Sequence, residues 1–325
     1  MPVSVRSFAK INLGLYIGPL RRSGFHELRT IYQTIALSDT IKVTVTAGAG
    51  IEIRCQDPQV PTDESNTCWR VADGVLRSLQ RHGKVTIQIE KKLPVQGGLG
   101  AASSNAVATM AALERELGEA LAPGDRLSIA SAVGSDLPLF LLGGTVLGIG
   151  RGEEVFPLAD LPEAPLVIVS PTTGVSTPKA FADWDELARQ SPELTGPDGT
   201  ARIDGFSRSV FSWLTGSIAG VPAISGNRAE KVATTPLLDF VRAGIENDFE
   251  RVVFPQYPEL REVKRGLERQ GALYASLSGS GSTLFGVFES GEAAQQAADG
   301  MSADGYRAVA TRTVSRKEYW EQLFV

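Results

Sequence analysis

Lys91-Lys92-Leu93-Pro94-Val95-Gln96-Gly97-Gly98-Leu99-Gly100-Ala101-Ala102-Ser103-Ser104-Asn105-Ala106 sets three glycines, two serines and an asparagine between two differently patterned segments. Before it, Val85–Glu90 alternates as a strand does. After it, Ala106, Met110, Leu113 and Leu117 recur every three to four residues, which predicts a helix over Ser104–Leu117 stopped by Gly118. Glycines at such a junction let backbone N–H groups approach a ligand closely, and a helix start favours negative charge. The stretch therefore reads as a cradle for an anion, best a nucleotide phosphate. The plainer alternative is a strand–turn–helix corner in which Ser103 or Ser104 caps the first turn.

Two familiar phosphate loops are excluded. A Walker A loop needs G-x-x-x-x-G-K-[ST], and no lysine follows the second glycine here. The dinucleotide fingerprint needs a third glycine where Ser103 stands, and an acidic residue beyond a following strand. Glu114 and Glu116 instead fall inside the helix.

The rest of the chain sets bounds. At 325 residues, two domains are the default. Hydrophobic and charged fractions of 42% and 21% are those of an ordinary globular protein. A net charge of −5 without a basic block argues against nucleic acid as partner. No apolar run is long enough to span a membrane, and Met1–Arg6 lacks a signal peptide's apolar core, so no membrane association is expected. Two cysteines, Cys55 and Cys68, build no disulfide framework and suit a cytoplasmic setting; two histidines make a zinc site improbable.

Strands are expected at Ser7–Ile17, Ile41–Ala47, Ile51–Cys55, Val85–Glu90, Thr145–Ile149 and Leu166–Ser170. Two more, Leu273–Ser278 and Thr283–Phe288, and one near Arg307–Val314 follow. Helices are expected near Asn66–His82, Asp125–Val133, Ala229–Phe249, Pro258–Gln270 and Gly291–Gly300. In the first strand Ala9, Ile11, Leu13, Leu15 and Ile17 point one way, and Phe8, Lys10, Asn12, Gly14 and Tyr16 the other. Ser191–Phe206, rich in proline and glycine, reads as a mobile surface insertion.

Three further places carry chemistry. Lys10 lies mid-strand with Asn12 and Gly14 on its face, leaving room for a ligand; a solvated outer face is the alternative. Asp136, in Gly134-Ser135-Asp136-Leu137-Pro138, is one carboxylate in an apolar segment, either a reactive group or a helix cap. Ser276-Leu277-Ser278-Gly279-Ser280-Gly281-Ser282-Thr283 reads by itself as a hairpin turn.

Pro94-x-x-x-Gly98-Leu99-Gly100-x-x-Ser103-Ser104-Asn105-Ala106 resembles the second motif of the small-molecule kinases typified by galactokinase, homoserine kinase, mevalonate kinase and phosphomevalonate kinase. Its two extra residues before Ser-Ser-Asn-Ala are most similar to the 4-diphosphocytidyl-2-C-methyl-D-erythritol kinase branch, which usually has glycines where this chain has Ala101 and Ala102. Phe8-Ala9-Lys10-Ile11-Asn12-Leu13 resembles the first motif, with Phe8 for proline, and the Asp136 segment resembles Gly-Ala-Asp-Val-Pro-x-Phe. The resemblance covers most of the chain apart from about residues 186–240, longer than the family leads one to expect.

The resemblance implies an α+β, two-domain kinase fold. Its N-terminal half, 1–162, would be ribosomal-protein-S5-domain-2-like, and its C-terminal half, 163–325, a ferredoxin-like α/β sandwich carrying the insertion near 186–240. The active site would lie in the cleft between them. It implies Lys10 and Asp136 as catalytic, with Asp136 the base and Lys10 orienting it. ATP would be bound by Asn66 and Lys91 at its adenine end and by Pro94, Gly97, Gly98, Leu99, Gly100, Ala101, Ala102, Ser103 and Ser104. Magnesium would accompany ATP without an all-protein site, with Ser104 as a candidate ligand. The acceptor would meet Asn12, Phe25, His26, Thr177 and Phe181, with Gly279, Ser280 and Gly281 closing over the phosphates. Phe25, in a Gly-Phe-His segment where the branch has Gly-Tyr-His, and Phe181 would sandwich a cytosine; core packing is their alternative reading. Asn247-Asp248-Phe249 reads as structural. The expected reaction is phosphorylation of the 2-hydroxyl of 4-diphosphocytidyl-2-C-methyl-D-erythritol for non-mevalonate isoprenoid synthesis, by a monomer or homodimer. Another acceptor (homoserine, a sugar or mevalonate) and a silent ligand sensor on the same scaffold are the competing readings.

Overall fold

The computed structural model describes residues 2–22, 24–95, 97–191, 194, 202, 204–208, 210 and 246–325. Strand β1 (Val3–Leu20) and strand β2 (His26–Thr46) pair antiparallel along their length, from Val3 opposite Val43 to Leu20 opposite His26. The far edge of β2 is shared. Its end Thr40–Thr46 takes β4 (Lys84–Glu90), and its start Leu28–Gln33 takes β5 (Thr145–Gly150). β3 (Gly50–Cys55) runs parallel outside β4, and β6 (Glu154–Pro157) antiparallel outside β5.

Helices α1 (Thr67–Ser78), α2 (Ala101–Leu117), α3 (Pro123–Val133) and the short α4 (Leu137–Phe140) join this sheet. In α1, Cys68, Val71, Ala72 and Val75 form one buried stripe, and Asn66 caps the helix. That stripe joins Met110 and Leu113 of α2 against Val43, Val85 and Ile87 of the sheet. Each large aliphatic side chain buried there contributes roughly 1.5–3 kcal/mol.

A second sheet, in order β10-β7-β9-β8, is antiparallel throughout. It comprises β7 (Pro165–Ser170), β8 (Tyr274–Leu277), β9 (Leu284–Val287) and β10 (Arg307–Arg312). Helices α5 (Thr177–Gln190), α6 (Glu250–Gln256), α7 (Pro258–Arg269) and α8 (Gly291–Ala303) intervene. Strands, order and helices give a ferredoxin-like βαββαβ sandwich. Ala9, Ile11 and Leu13 of β1 meet Leu166, Ile168, Phe285 and Val287 in a core between the two sheets. The chain ends in α9 (Arg316–Glu321), whose Tyr319 is buried in the first core.

Several expectations need correction, and the strand expected at Ile41–Ala47 already starts at His26. The first strand is longer than Ser7–Ile17, and residues Ser7 through Gly18 are all buried, so the face bearing Lys10 is not solvated. Its alternation also changes phase. Register shifts between Asn12 and Gly14, and Leu15 and Ile17 enter a different core from Ala9, Ile11 and Leu13, which Tyr16 joins instead. A bulge inserts one residue and re-aims every side chain beyond it. The expected insertion over 186–240 begins inside α5, and most of it lies outside the described residues. So do most of Ser191–Phe206 and most of the helix expected over Ala229–Phe249, whose described end, residues 246–249, is not helical.

Candidate active site

Helix α2 begins at Ala101, three residues earlier than its apolar spacing predicts, with Gly100 at the N-cap in a left-handed conformation (φ +69°) and no side-chain cap. Ser103 and Ser104 therefore sit inside the first turn, and the capping alternative does not occur. The amide of Ser104 donates to the Gly100 carbonyl at 2.9 Å. Helix geometry leaves the amides ahead of it, those of Ala101, Ala102 and Ser103, without intrahelical acceptors. These are the donors a phosphate needs.

The glycines ahead of the helix are held at close quarters. A Cβ on Gly98 (φ +75°) would lie 2.0 Å from the Ser278 carbonyl oxygen, and one on Gly97 2.6 Å from Thr283 Oγ1. In return, Ser278 Oγ donates to the Gly98 carbonyl at 2.9 Å and the Thr283 amide to that of Gly97 at 3.2 Å. The Lys10 amide donates to the Leu99 carbonyl at 2.9 Å. The two glycine-rich loops and β1 thus meet at one point, although far apart in sequence.

A cleft of about 340 Å³ opens beside them, lined by Asn66, Lys91, Pro94, Gly97 through Ser103, and Asn105. Ser103 faces this cleft, while Ser104 is buried and does not line it. Asn66 has structural duties as well. Its side chain accepts from the Cys68 amide at 2.8 Å and donates to the Pro61 carbonyl at 2.6 Å. Lys91 is ion-paired to Asp39 at 2.5 Å. No sequence motif marks Asp39, yet it organises the loop's entry. Fully buried, it also accepts from the amides of Lys92 (2.7 Å) and Leu93 (2.8 Å) and from Asn105 Nδ2 (3.1 Å). In the sequence Ser38-Asp39-Thr40 reads as an ordinary polar turn, so no local signal marks it.

Lys10 and Asp136 come together. Nζ of Lys10 lies 3.5 Å from Asp136 Oδ2 and donates to Asn12 Oδ1 at 2.7 Å. Burial lowers the Lys10 pKa from its ordinary 10.5, and the Asp136 carboxylate opposes that shift. Asn12 Nδ2 donates to Thr30 Oγ1 at 2.7 Å, which fixes the amide orientation. Asp136 occupies the N-cap position of α4 but makes no capping bond; its carboxylate is half-buried and turned to Lys10 and to the hydroxyl of Tyr32, 3.2 Å from Oδ1. Gly279 closes the pocket: a Cβ there would lie 3.4 Å from Asn12 Oδ1 and 3.5 Å from Lys10 Nζ.

Beyond this centre, Thr177 Oγ1 and Ser280 Oγ share a hydrogen bond at 2.7 Å, which ties the start of α5 to the second glycine loop, where Gly281 follows. His26 Nδ1 donates to the Gly18 carbonyl at 3.0 Å, and Nε2 lies 3.0 Å from Asp185 Oδ1, outside hydrogen-bond alignment. Phe181 stacks on His26, with centroids 5.5 Å apart and planes at 6°. Phe25 is 51% exposed and carries the Arg151 guanidinium 4.8 Å above its ring, so core packing does not explain it. Asn247 Nδ2 donates to the carbonyls of Leu277 and Gly279, both at 2.8 Å, a structural brace for the glycine loop. From the C-terminus, Tyr319 Oη donates to the Phe140 carbonyl at 2.7 Å and steadies the segment that carries Asp136.

A glycine-lined cleft at a helix N-terminus, set beside a buried lysine and its half-buried aspartate on these two sheets, defines a GHMP kinase. Residues 66–144 match the GHMP kinases N terminal domain and residues 237–307 the GHMP kinases C terminal family. A 4-diphosphocytidyl-2-C-methyl-D-erythritol kinase of Solibacter usitatus is 38% identical over 97% of this chain and 90% of its own length. That of Geobacter sulfurreducens is 35% identical over 96% and 99%. A crystal structure of 4-(cytidine 5'-diphospho)-2C-methyl-D-erythritol kinase superposes with a TM-score of 0.72 at 27% identity, covering 95% of this chain and 98% of that one. Homoserine kinase from Cytophaga hutchinsonii shares the fold, with a TM-score of 0.67 at 21% identity over 96% and 95% of the two chains. The chain belongs to the 4-diphosphocytidyl-2-C-methyl-D-erythritol kinase family.

Proposed function

We propose that this protein transfers the γ-phosphoryl group of ATP to the 2-hydroxyl of 4-diphosphocytidyl-2-C-methyl-D-erythritol, in non-mevalonate isoprenoid precursor synthesis. The observation that carries the reading is the Lys10–Asp136 pair, 3.5 Å apart, beside two interlocked glycine loops in a chain of this family. Asp136 takes the proton of the acceptor hydroxyl, while Lys10 keeps the carboxylate oriented and offsets the charge that develops on the acceptor oxygen. General-base assistance of this kind contributes about 10²–10⁴-fold. Positioning and charge stabilisation contribute more in phosphoryl transfer. ATP, when bound, supplies the phosphoryl group and leaves as ADP. The amides of Ala101, Ala102 and Ser103 and the backbone of Gly97–Gly100 hold its phosphates, with Asn66, Lys91 and Pro94 along the same cleft.

Magnesium accompanies the nucleotide in this reading. Among the described residues no group of three His, Cys, Asp or Glu could hold a metal, and Ser104 is buried. Magnesium would enter with the nucleotide phosphates, which need only one or two side chains to complete its site, and no protein ligand is assigned.

For the acceptor, Phe25, half-exposed with Arg151 over its ring, offers the stacking surface for a cytosine, with His26 and Phe181 alongside and Thr177, Ser280 and Asn12 toward the polyol. We put the reaction in the cytoplasm, the reducing compartment that suits two free cysteines, Cys55 and Cys68.

ADP release measured with 4-diphosphocytidyl-2-C-methyl-D-erythritol, homoserine, mevalonate and galactose tests the reading. Turnover is expected with the cytidyl polyol alone. Preference for another acceptor would refute the substrate, and silence with all would favour the sensor.

A further inference from the structure

We propose that Tyr32 is the positioning residue for Asp136, its hydroxyl holding Oδ1 so that Oδ2 faces Lys10 and the acceptor. The inference rests on Asp136 being the base, as proposed above. Tyr32 lies in β2, opposite Asn12 of β1 on one side and Val146 of β5 on the other, so sheet register delivers it beside the Lys10–Asn12 face. It is 3% exposed, and Lys10 Nζ lies 5.6 Å from its ring centre. Its hydroxyl donates to Asp136 Oδ1 at 3.2 Å. Burial and the adjacent carboxylate raise the phenol well above its ordinary pKa, so it stays a donor. A 3.2 Å bond is long for O–H···O⁻, as catalytic hydrogen bonds often are before substrate tightens them.

The seat of this ring is built for it. A Cβ on Gly148 would lie 2.5 Å from Tyr32 Cε2, and a Cβ on Gly152 2.4 Å from Tyr32 Oη. Gly152 stands in the turn between β5 and β6 at φ +99°, where a side chain is already strained. Two glycines on one hairpin thus make room for the ring and its hydroxyl. Asp136 has no capping bond to fix it, and among the described residues its carboxylate partners are Lys10 and Tyr32. A buried tyrosine needs some acceptor for its hydroxyl. This one has the carboxylate that Lys10 also holds.

If Tyr32 merely fills the core, losing its hydroxyl affects stability; if it positions Asp136, the loss appears in kcat. Tyr32→Phe keeps the ring and removes only Oη. Its kcat should fall about tenfold, the loss of one hydrogen bond to a charged group, with KM for both substrates within about twofold. Gly152→Ala should reproduce that loss in the parent. In a Tyr32→Phe background the part owed to the strained φ should persist, but the loss should be smaller than in the parent, because the atom it strikes is gone and the next, Cζ, is at 3.7 Å. An unchanged kcat in Tyr32→Phe, or an equal loss from Gly152→Ala in both backgrounds, overturns the proposal.

The substrate reading is tested separately by the parent's choice of acceptor, since the ratio of variant to parent can be measured with whichever acceptor is turned over. Should none be, the carbon-13 resonance of the Asp136 carboxyl decides. A displaced resonance in Tyr32→Phe supports the contact, and an unmoved one overturns it.

Discussion

Gly98→Ala tests the central claim that the two glycine loops work as one unit. The new Cβ would stand 2.0 Å from the Ser278 carbonyl oxygen, whereas ordinary contact begins at 3.4 Å. One loop must therefore retreat by the difference, 3.4 − 2.0 = 1.4 Å. That retreat breaks the bond from Ser278 Oγ to the Gly98 carbonyl and strains that from Thr283 to Gly97. Each is worth about 1 kcal/mol net, and a left-handed alanine costs about 1 kcal/mol more. A stability loss of about 3 kcal/mol follows, visible as a melting point lowered by several degrees. The kinetic effect should be larger, because misplacing reacting groups by about 1 Å can cost roughly 10²-fold. ADP release should then show kcat down by about two orders of magnitude. Gly124→Ala is the control: it lies in α3 with nothing within 4 Å of its new Cβ, and should behave as the parent. A Gly98→Ala enzyme within about threefold of parental kcat would refute the interlock.

Asp136→Asn keeps the shape of the side chain and removes the base, so turnover should vanish while calorimetric ATP affinity stays near the parent's; normal turnover would remove Asp136 from the mechanism. Phe25→Ala should raise KM for the cytidyl substrate about tenfold, the scale of one lost base–aromatic stack, with KM for ATP unchanged. An effect confined to ATP would sink the cytosine assignment. Because burial sets the Lys10 pKa below 10.5, the ammonium loses its proton at a lower pH in the folded chain than in the unfolded one. Activity that needs the cation should decline as pH rises through that lowered value, before pH 10.5, and stability should rise with pH across the same window. A basic limb at or above 10.5 in directly quantified ADP formation would contradict this.

Much of the site was legible because its signals are local. The spacing of Ala106, Met110 and Leu113 predicts the helix behind the phosphate loop, and that helix forms. What escaped depends on neighbours remote in sequence. Glu27, Arg29, Thr30, Gln33 and Thr34 look wrong for a buried strand, yet β2 runs through them because β1 and β5 satisfy its backbone on both edges. Tyr32 and Asp39 carry no local signal for the same reason. Neither has a motif around it, and their partners lie in α4 and beyond β4. α2 starts at Ala101 rather than Ser104 because a left-handed Gly100 lets the helix begin before its apolar stripe does.

By itself the sequence determined the strand–glycine loop–helix junction and the residue types able to move a proton, since glycine freedom, helix periodicity and side-chain chemistry act over a few residues. Only the tertiary structure decided that Lys10 is buried rather than solvated, that Asp136 faces Lys10 rather than its own helix, and that Ser278 locks onto Gly98. Each of these depends on strand register and on which surfaces leave water together, and register at a bulge such as that between Asn12 and Gly14 has no signature shorter than the sheet that enforces it.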